Sequence, residues 1–270
     1  MIYSRNVTYV GLIIFAKILI NGKIYLYYEG DIMSKIDELK RIINESSNIV
    51  FFGGAGVSTE SGIKDFRGKN GLYKQKLDKP TEYYLSSDCF FNDTENFFKF
   101  YHDNMNSMKA EPNVTHKYLT KLEDSGKLKA IITQNIDGLH QKAKSKNVLE
   151  ILGTIYKNHC LLCNKEYDGD YVFRSKGIPK CDCGGIIKPD VVLYGEMLPD
   201  AYIEAEEYMR QADTLIVAGT SLTVEPASSL VRLFKGVNLV IINMDPTNYD
   251  SLATLVIHDS LKNVVSELIK

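Results

Sequence analysis

Short apolar runs alternate with amphipathic stretches along most of this chain. Ser34-Lys35-Ile36-Asp37 reads as a helix N-cap with an acidic third position. Ile36, Leu39, Ile42 and Ile43 then mark one helical face. Apolar runs at 49–52, 130–133, 148–151, 215–218, 239–242 and 255–257 predict buried strands. The window 72–108 reads as helical and aromatic, with Phe90, Phe97, Phe98 and Tyr101 as packing surface. A further helix over 115–125 stops at Gly126, and a closing helix runs to Lys270. Apolar strands alternating with helices predict an α/β fold with a parallel, doubly wound sheet. Ligands of such sheets sit beyond the carboxyl ends of the strands. The polar tails Gln134-Asn135-Ile136-Asp137, Thr220-Ser221 and Asn243 fall at such ends.

The first of these strands stops at Gly53-Gly54-Ala55-Gly56-Val57-Ser58-Thr59-Glu60-Ser61-Gly62. Glycines let a backbone approach a pyrophosphate closely, and the following turn aims free N–H groups at the anion. The spacing departs from G-x-G-x-x-G, so it points less directly to a generic dinucleotide fold. Asp65-Phe66-Arg67 adds a carboxylate, a ring and a guanidinium just past the turn. A turn without a ligand has little use for that set.

Cys160-Leu161-Leu162-Cys163 and Cys181-Asp182-Cys183 form two close pairs, the second followed by Gly184-Gly185. Two thiolate pairs on turns close a tetrahedral structural zinc site, although C-x-C is one residue shorter than the usual second pair. Four sulfur ligands leave no open position, so the metal is expected to be scaffolding. The module is expected over about 155–188, inserted between strands of the sheet. Cys89 reads as an ordinary buried thiol. Thiols arranged for metal rather than disulfides imply a reducing, cytoplasmic setting.

The totals narrow the function classes. The chain has 270 residues, is 44% hydrophobic and 24% charged, and carries a net charge of −2. Nothing in that balance calls for nucleic acid or a membrane. Lys142, Lys144 and Lys146 read as a solvated face. Residues 1–32 differ in character from the rest. Val7–Ile20 is too short and interrupted for a comfortable membrane span, and Asn21-Gly22 suits a hairpin turn. Glu29-Gly30-Asp31-Ile32-Met33 back-translates to a purine-rich ribosome-binding sequence before a start codon. The expectation is therefore a start at Met33, with 1–32 a translated leader or a disordered extension.

Taken together, these motifs resemble the sirtuins, NAD-dependent protein deacylases of bacterial type. The resemblance covers about 33–270. It rests on the Gly54–Gly62 turn, Asp65-Phe66-Arg67, Thr133-Gln134-Asn135-Ile136-Asp137-Gly138-Leu139-His140 and the cysteine pairs. It also rests on Lys188-Pro189-Asp190-Val191-Val192-Leu193-Tyr194-Gly195-Glu196, Gly219-Thr220-Ser221-Leu222 and Asn243. It implies a large Rossmann-like domain, a small inserted zinc-ribbon and helical domain, and a cleft between them for NAD and an acyl-lysine peptide. By resemblance Ala55, Thr59, Phe66 and Arg67 line the cofactor loop, and Gln134, Ile136 and Asp137 the nicotinamide pocket. Thr220, Ser221 and Asn243 hold the adenosine half. Residues 192–196, with Val192, Gly195 and Glu196 as contacts, pair with the extended peptide as an added strand. Cys160, Cys163, Cys181 and Cys183 are the zinc ligands. Asn135 and Asp137 are assigned to catalysis. The implied reaction converts acetyl-lysine and NAD to lysine, nicotinamide and O-acetyl-ADP-ribose, in a monomer acting on acetyl-lysine proteins.

The chain departs from the pattern at the step that needs a base. Where the family reads Glu-Leu-His-Gly, this chain reads Glu150-Ile151-Leu152-Gly153. The family histidine activates a ribose hydroxyl, and loss of a positioned base typically costs about 10²–10⁴-fold. The expectation is an enzyme impaired at Leu152. The alternatives are a weakly active module that binds NAD or ADP-ribose, and an ADP-ribosyltransferase. His159 is the nearest substitute in sequence, although a plain exposed loop histidine is the simpler reading. His102, His116, His140 and His258 read as structural or solvated. Lys64 replaces a common proline and is expected to alter loop stiffness. Asn104 follows Tyr101 in Tyr-x-x-Asn, where succinyl- and malonyl-preferring sirtuins carry arginine, which predicts preference for acetyl or longer neutral acyl groups.

Overall fold

The computed structural model describes residues 34–68 and 71–270, together with the backbone of 15–20 and 23–28. Strands β1 (Phe15–Ile20) and β2 (Lys23–Tyr28) pair antiparallel as a sheet of their own. The Asn21-Gly22 turn between them and the expected start at Met33 lie outside the described residues.

Helix α1 (Lys35–Glu45) begins where the N-cap was expected, with the Ser34 hydroxyl accepting the Asp37 N–H at 3.1 Å. Strand β3 (Ile49–Gly53) follows, and every one of its residues is buried. The aromatic window resolves into α2 (Thr81–Tyr84), α3 (Ser87–Asn92) and α4 (Thr94–Met105). Then come α5 (Val114–Asp124), β4 (Leu128–Thr133), α6 (Leu139–Lys142) and β5 (Val148–Glu150). The cysteine module contains β6 (Gly153–Cys160), β7 (Glu166–Asp168), α7 (Gly169–Arg174) and β8 (Ile187–Val191). The chain closes with α8 (Asp200–Gln211), β9 (Thr214–Ala218), β10 (Asn238–Ile242), β11 (Leu255–Ile257) and α9 (Leu261–Leu268).

The main sheet has the order β11-β10-β9-β3-β4-β5, with every pair parallel. This is the parallel, doubly wound sheet read from the alternating pattern, and the Rossmann-like domain that the resemblance implies. One face packs on α1, α5 and α9 through Leu39, Ile42, Leu119 and Val264. The other packs on α8 and a 3-10 segment, Ala227–Leu233, through Met209, Leu230 and Val231. The chain runs outward from β3 to β5 on one side and from β9 to β11 on the other. The order thus reverses between β3 and β9, where a crevice opens at the strand ends.

Two glycine turns form the floor of that crevice. The Gly56 N–H donates to the Gly219 carbonyl at 2.8 Å. A Cβ on Gly56 would stand 2.6 Å from Gly219 Cα, so the two backbones touch only because both are glycine.

The small domain has its own core. Sheet β7-β6-β8 holds Cys160 at the end of β6, with Cys163, Cys181 and Cys183 in the connections between its strands, and packs against the aromatic helices. Tyr101 stacks on Phe173 of α7 at 5.3 Å with near-parallel rings, and on Phe97 at 5.6 Å. The aromatic stretch is therefore the wall that joins the zinc module to the cleft. The module's sheet begins at Gly153, immediately after Leu152, slightly wider than the 155–188 expected.

Candidate active site

Two adjoining cavities occupy the crevice between the domains. One, of about 590 Å³, reaches from the turn after β4 to residues 191–196 and the end of α4. The other, of about 440 Å³, lies over the strand ends of β9 and β10. Ala55, Phe66, Gln134, Asn135, Leu152 and Tyr194 line both. The fold brings the expected residues together. Thr59, Arg67, Thr220, Ser221 and Asn243 line the second cavity, and Ile136, Asp137, Val192, Gly195 and Glu196 the first.

The turn after β4 supplies a buried polar network. Ser58 donates to the Asp137 carboxylate at 2.6 Å, and the Leu139 N–H donates to the other oxygen at 3.0 Å. Asn135 Nδ2 donates to Ser58 Oγ at 3.0 Å. Burial pushes the Asp137 carboxyl above its ordinary range, while the Ser58 and Leu139 donors pull it back. Gly138, in the left-handed conformation at φ 64°, starts the short helix α6 just past the carboxylate. Sequence reasoning quoted Ser58 within the glycine motif but gave it no role. Its full burial beside a carboxylate becomes visible only in three dimensions.

The residues present fit a dinucleotide. Gln134 Oε1 accepts from Thr220 Oγ1 at 2.9 Å, but its Nε2 is buried with no hydrogen-bond partner among the described residues. A buried amide N–H without a partner costs stability unless a ligand satisfies it. A Cβ on Gly54 would stand 2.7 Å from Thr220 Cβ, so the turn packs tightly against the strand end while its surface borders the cavities.

Leu152 sits at the join between β5 and β6, half-buried, where the two cavities meet. Its carbonyl accepts the Val192 N–H at 2.9 Å, which ties this position to the segment 192–196 that lines the first cavity. The side chain is hydrocarbon and takes no proton. His159 does not replace it. This histidine lies in β6 rather than in a loop, pairs with Asp190 at 2.7 Å, and lines neither cavity. His140 packs inside the protein against His116, ring centroids 4.7 Å apart. Glu150 also lines neither cavity, and burial pushes its carboxyl up to about 7.

Glu196 braces the segment 192–196 from within. Its carboxylate accepts the Leu193 N–H at 2.9 Å and pairs with Lys188 at 3.1 Å. Gly195, at φ 93°, lets the segment turn there.

The four cysteine sulfurs lie within 4.8 Å of one another, with nearest separations of 3.5 Å. A tetrahedron with Zn–S bonds of about 2.3 Å has sulfurs about 3.8 Å apart. The donor set therefore fits zinc. A Cβ on Gly185 would stand 2.6 Å from Cys160 Sγ, so the second glycine of Gly184-Gly185 is needed for closure.

The Sir2 family model matches residues 54–226, a span that holds both glycine turns, the β4 turn and the cysteine module. The chain belongs to the Sir2 family. It is 56% identical over 243 residues to a protein of Clostridium acetobutylicum named NAD-dependent protein deacetylase, covering 88% of this chain and 99% of that one. A protein of the same name from Clostridium perfringens is 53% identical over 240 residues, with 87% and 98% covered. Among solved structures, a Sir2 complex with deacetylated p53 peptide and 3'-O-acetyl ADP ribose superposes with a TM-score of 0.82 at 38% identity, covering 87% of this chain and 98% of that one. A Sir2–p53 peptide–NAD+ complex gives 0.78 at the same identity and coverage. The Sir2 cleft between a Rossmann-like sheet and a zinc-bearing module is thus the setting in which Leu152 must be understood.

Proposed function

We propose that this Sir2 protein is an NAD-dependent protein-lysine deacetylase whose base-requiring stage is weakened by Leu152. The observation that carries the proposal is the meeting of the two cavities at Asn135 and Leu152. One cavity has the glycine turns and polar strand ends suited to a dinucleotide. The other has the main-chain segment 192–196 suited to an extended peptide.

NAD, when bound, supplies the ribosyl carbon that takes up the acyl oxygen as nicotinamide departs. The chain's residues do the rest. Asp137, with Ile136, is placed to hold the carboxamide in a buried, partly apolar pocket. Gln134 offers its spare N–H. Thr220, Ser221 and Asn243 receive the adenosine half, while Phe66 and Arg67 cover it from the loop. Val192 and Gly195 offer backbone to the peptide, and Glu196 fixes the turn that closes that segment. The four cysteines hold zinc as a brace for the opposite wall. The missing contribution is proton removal at position 152, since a leucine there only excludes water.

A second reading, an NAD- or ADP-ribose-binding module or ADP-ribosyltransferase, is favoured by the same residue. Such chemistry needs only the first half of the reaction. No helix among the described residues is long and apolar enough to cross a membrane. We expect a cytoplasmic monomer acting on acetyl-lysine proteins, without nucleic acid. Incubation with NAD and an acetyl-peptide tests the proposal. Nicotinamide release with slow appearance of free lysine peptide is expected. Absence of both products and of NAD binding would overturn it.

A further inference from the structure

The cofactor loop and the peptide-binding segment meet at one contact that the proposed roles leave unused. The Tyr73 and Tyr194 hydroxyls are 2.7 Å apart. Tyr194 lines both cavities and Tyr73 lines the second. Each phenol stands on a fixed base. The Tyr194 N–H donates to the Leu85 carbonyl at 3.0 Å, and its own carbonyl accepts the Ser87 N–H at 3.0 Å. Tyr73 is tied to the loop. Its N–H donates to the Phe66 carbonyl at 2.9 Å, and that of Leu72 to Asp65 at 2.9 Å. The Arg67 guanidinium lies 4.7 Å over the Tyr73 ring, and Phe66 meets that ring edge-on at 5.7 Å. Gly71 permits this doubling back, because a Cβ there would stand 2.4 Å from the Phe66 carbonyl oxygen.

We infer that Tyr73 and Tyr194 form a clasp that preorganises the cofactor loop for the dinucleotide. They are positioning residues, since they act through Phe66 and Arg67. Their hydrogen bond anchors a loop to a segment already pinned to α3. A ligand that needs the loop ordered then gives up less conformational freedom on binding. The inference rests on the proposed NAD site and deepens it.

A neutral hydrogen bond at a partly exposed position is worth only a few-fold in an equilibrium constant. The test is a double-mutant cycle on the full chain, Tyr73→Phe, Tyr194→Phe and the pair, read by calorimetric titration with NAD alone. Both rings remain, so the stacking and edge contacts persist, and thermal melts of the variants check that the fold is kept. Each single variant is expected to raise the NAD Kd about 2- to 5-fold. The double variant is expected to match either single one, because both remove the same bond. Unchanged Kd values, or losses that multiply in the double variant, would overturn the clasp. Wild-type protein that shows no NAD binding would instead overturn the proposed function, and the clasp with it.

Discussion

Ser58 Oγ stands 2.6 Å from the Asp137 carboxylate and 3.0 Å from Asn135 Nδ2, linking the turn after β3 to the turn after β4. The hydroxyl donates to one and accepts from the other, and none of the three is freely solvated. Ser58→Ala leaves a buried carboxylate and a buried amide each one partner short. Each such group costs about 1–3 kcal/mol. Denaturant titration is expected to show a loss of about 2–6 kcal/mol. A loss below the error of the titration would mean that water replaces the hydroxyl and that the network is not structural.

The cysteine cluster makes a separate prediction. Structural zinc contributes directly to folding of the module that holds it. Purified protein is expected to contain one zinc per chain by atomic emission. Cys163→Ser is expected to lose the metal and melt at lower temperature, with Tyr101 stacked on Phe173 carrying the damage to the cleft wall. Metal-free protein with an unchanged melt would remove the scaffold role.

Glu150 gives the stability a pH dependence of definite sign. Burial raises its carboxyl from 4.5 to about 7, helped by the nearby Asp137, while Gln141, Thr154 and Lys157 act against the rise. Between those values the folded chain holds a proton that the unfolded chain has released. The contribution is therefore full below 4.5 and lost as pH rises through 7. Relative to wild type, Glu150→Gln is expected to gain about 1–3 kcal/mol between about pH 5 and 8. Denaturant titrations of both proteins at the two pH values check this, and a constant difference contradicts it.

Asn104 lines the first cavity but its carboxamide is already engaged, accepting from Gln75 Nε2 at 2.8 Å and donating to the Phe100 carbonyl at 3.0 Å. Lys64 and Lys109, also on this cavity, are exposed and act through water. Neutral acyl groups are therefore expected to react faster than succinyl. In a Leu152→His background, Asn104→Arg is expected to raise desuccinylation about 10- to 100-fold, the scale of a charge-assisted hydrogen bond. Wild-type desuccinylation faster than deacetylation would contradict the prediction.

Much of this was legible in the chain itself. The six parallel strands, the Ser34 cap and the cysteine module follow from periodicity, capping residues and thiol spacing. The cavity-lining residues followed from the family motifs, whose order survives folding as adjacency. The contacts between distant segments were not legible. Tyr73 reaches Tyr194, and Ser58 reaches Asp137, across separations that no local pattern encodes. The strand position of His159 is not legible either, because Tyr156, Lys157, Asn158 and His159 give little apolar alternation within the eight-residue β6. Nor does the sequence show that the Glu196 carboxylate accepts from Leu193 and pairs with Lys188.

The central claim is that one side chain, held in an otherwise complete site, limits turnover. The backbone at Leu152 is fixed by its bond to Val192, so a histidine placed there inherits the position. The most direct test measures acetyl-peptide deacetylation by wild type and Leu152→His side by side, with nicotinamide release recorded in both. The account predicts that the substitution raises deacetylation about 10²-fold or more, with NAD binding little changed. Equal rates in the two proteins would contradict it.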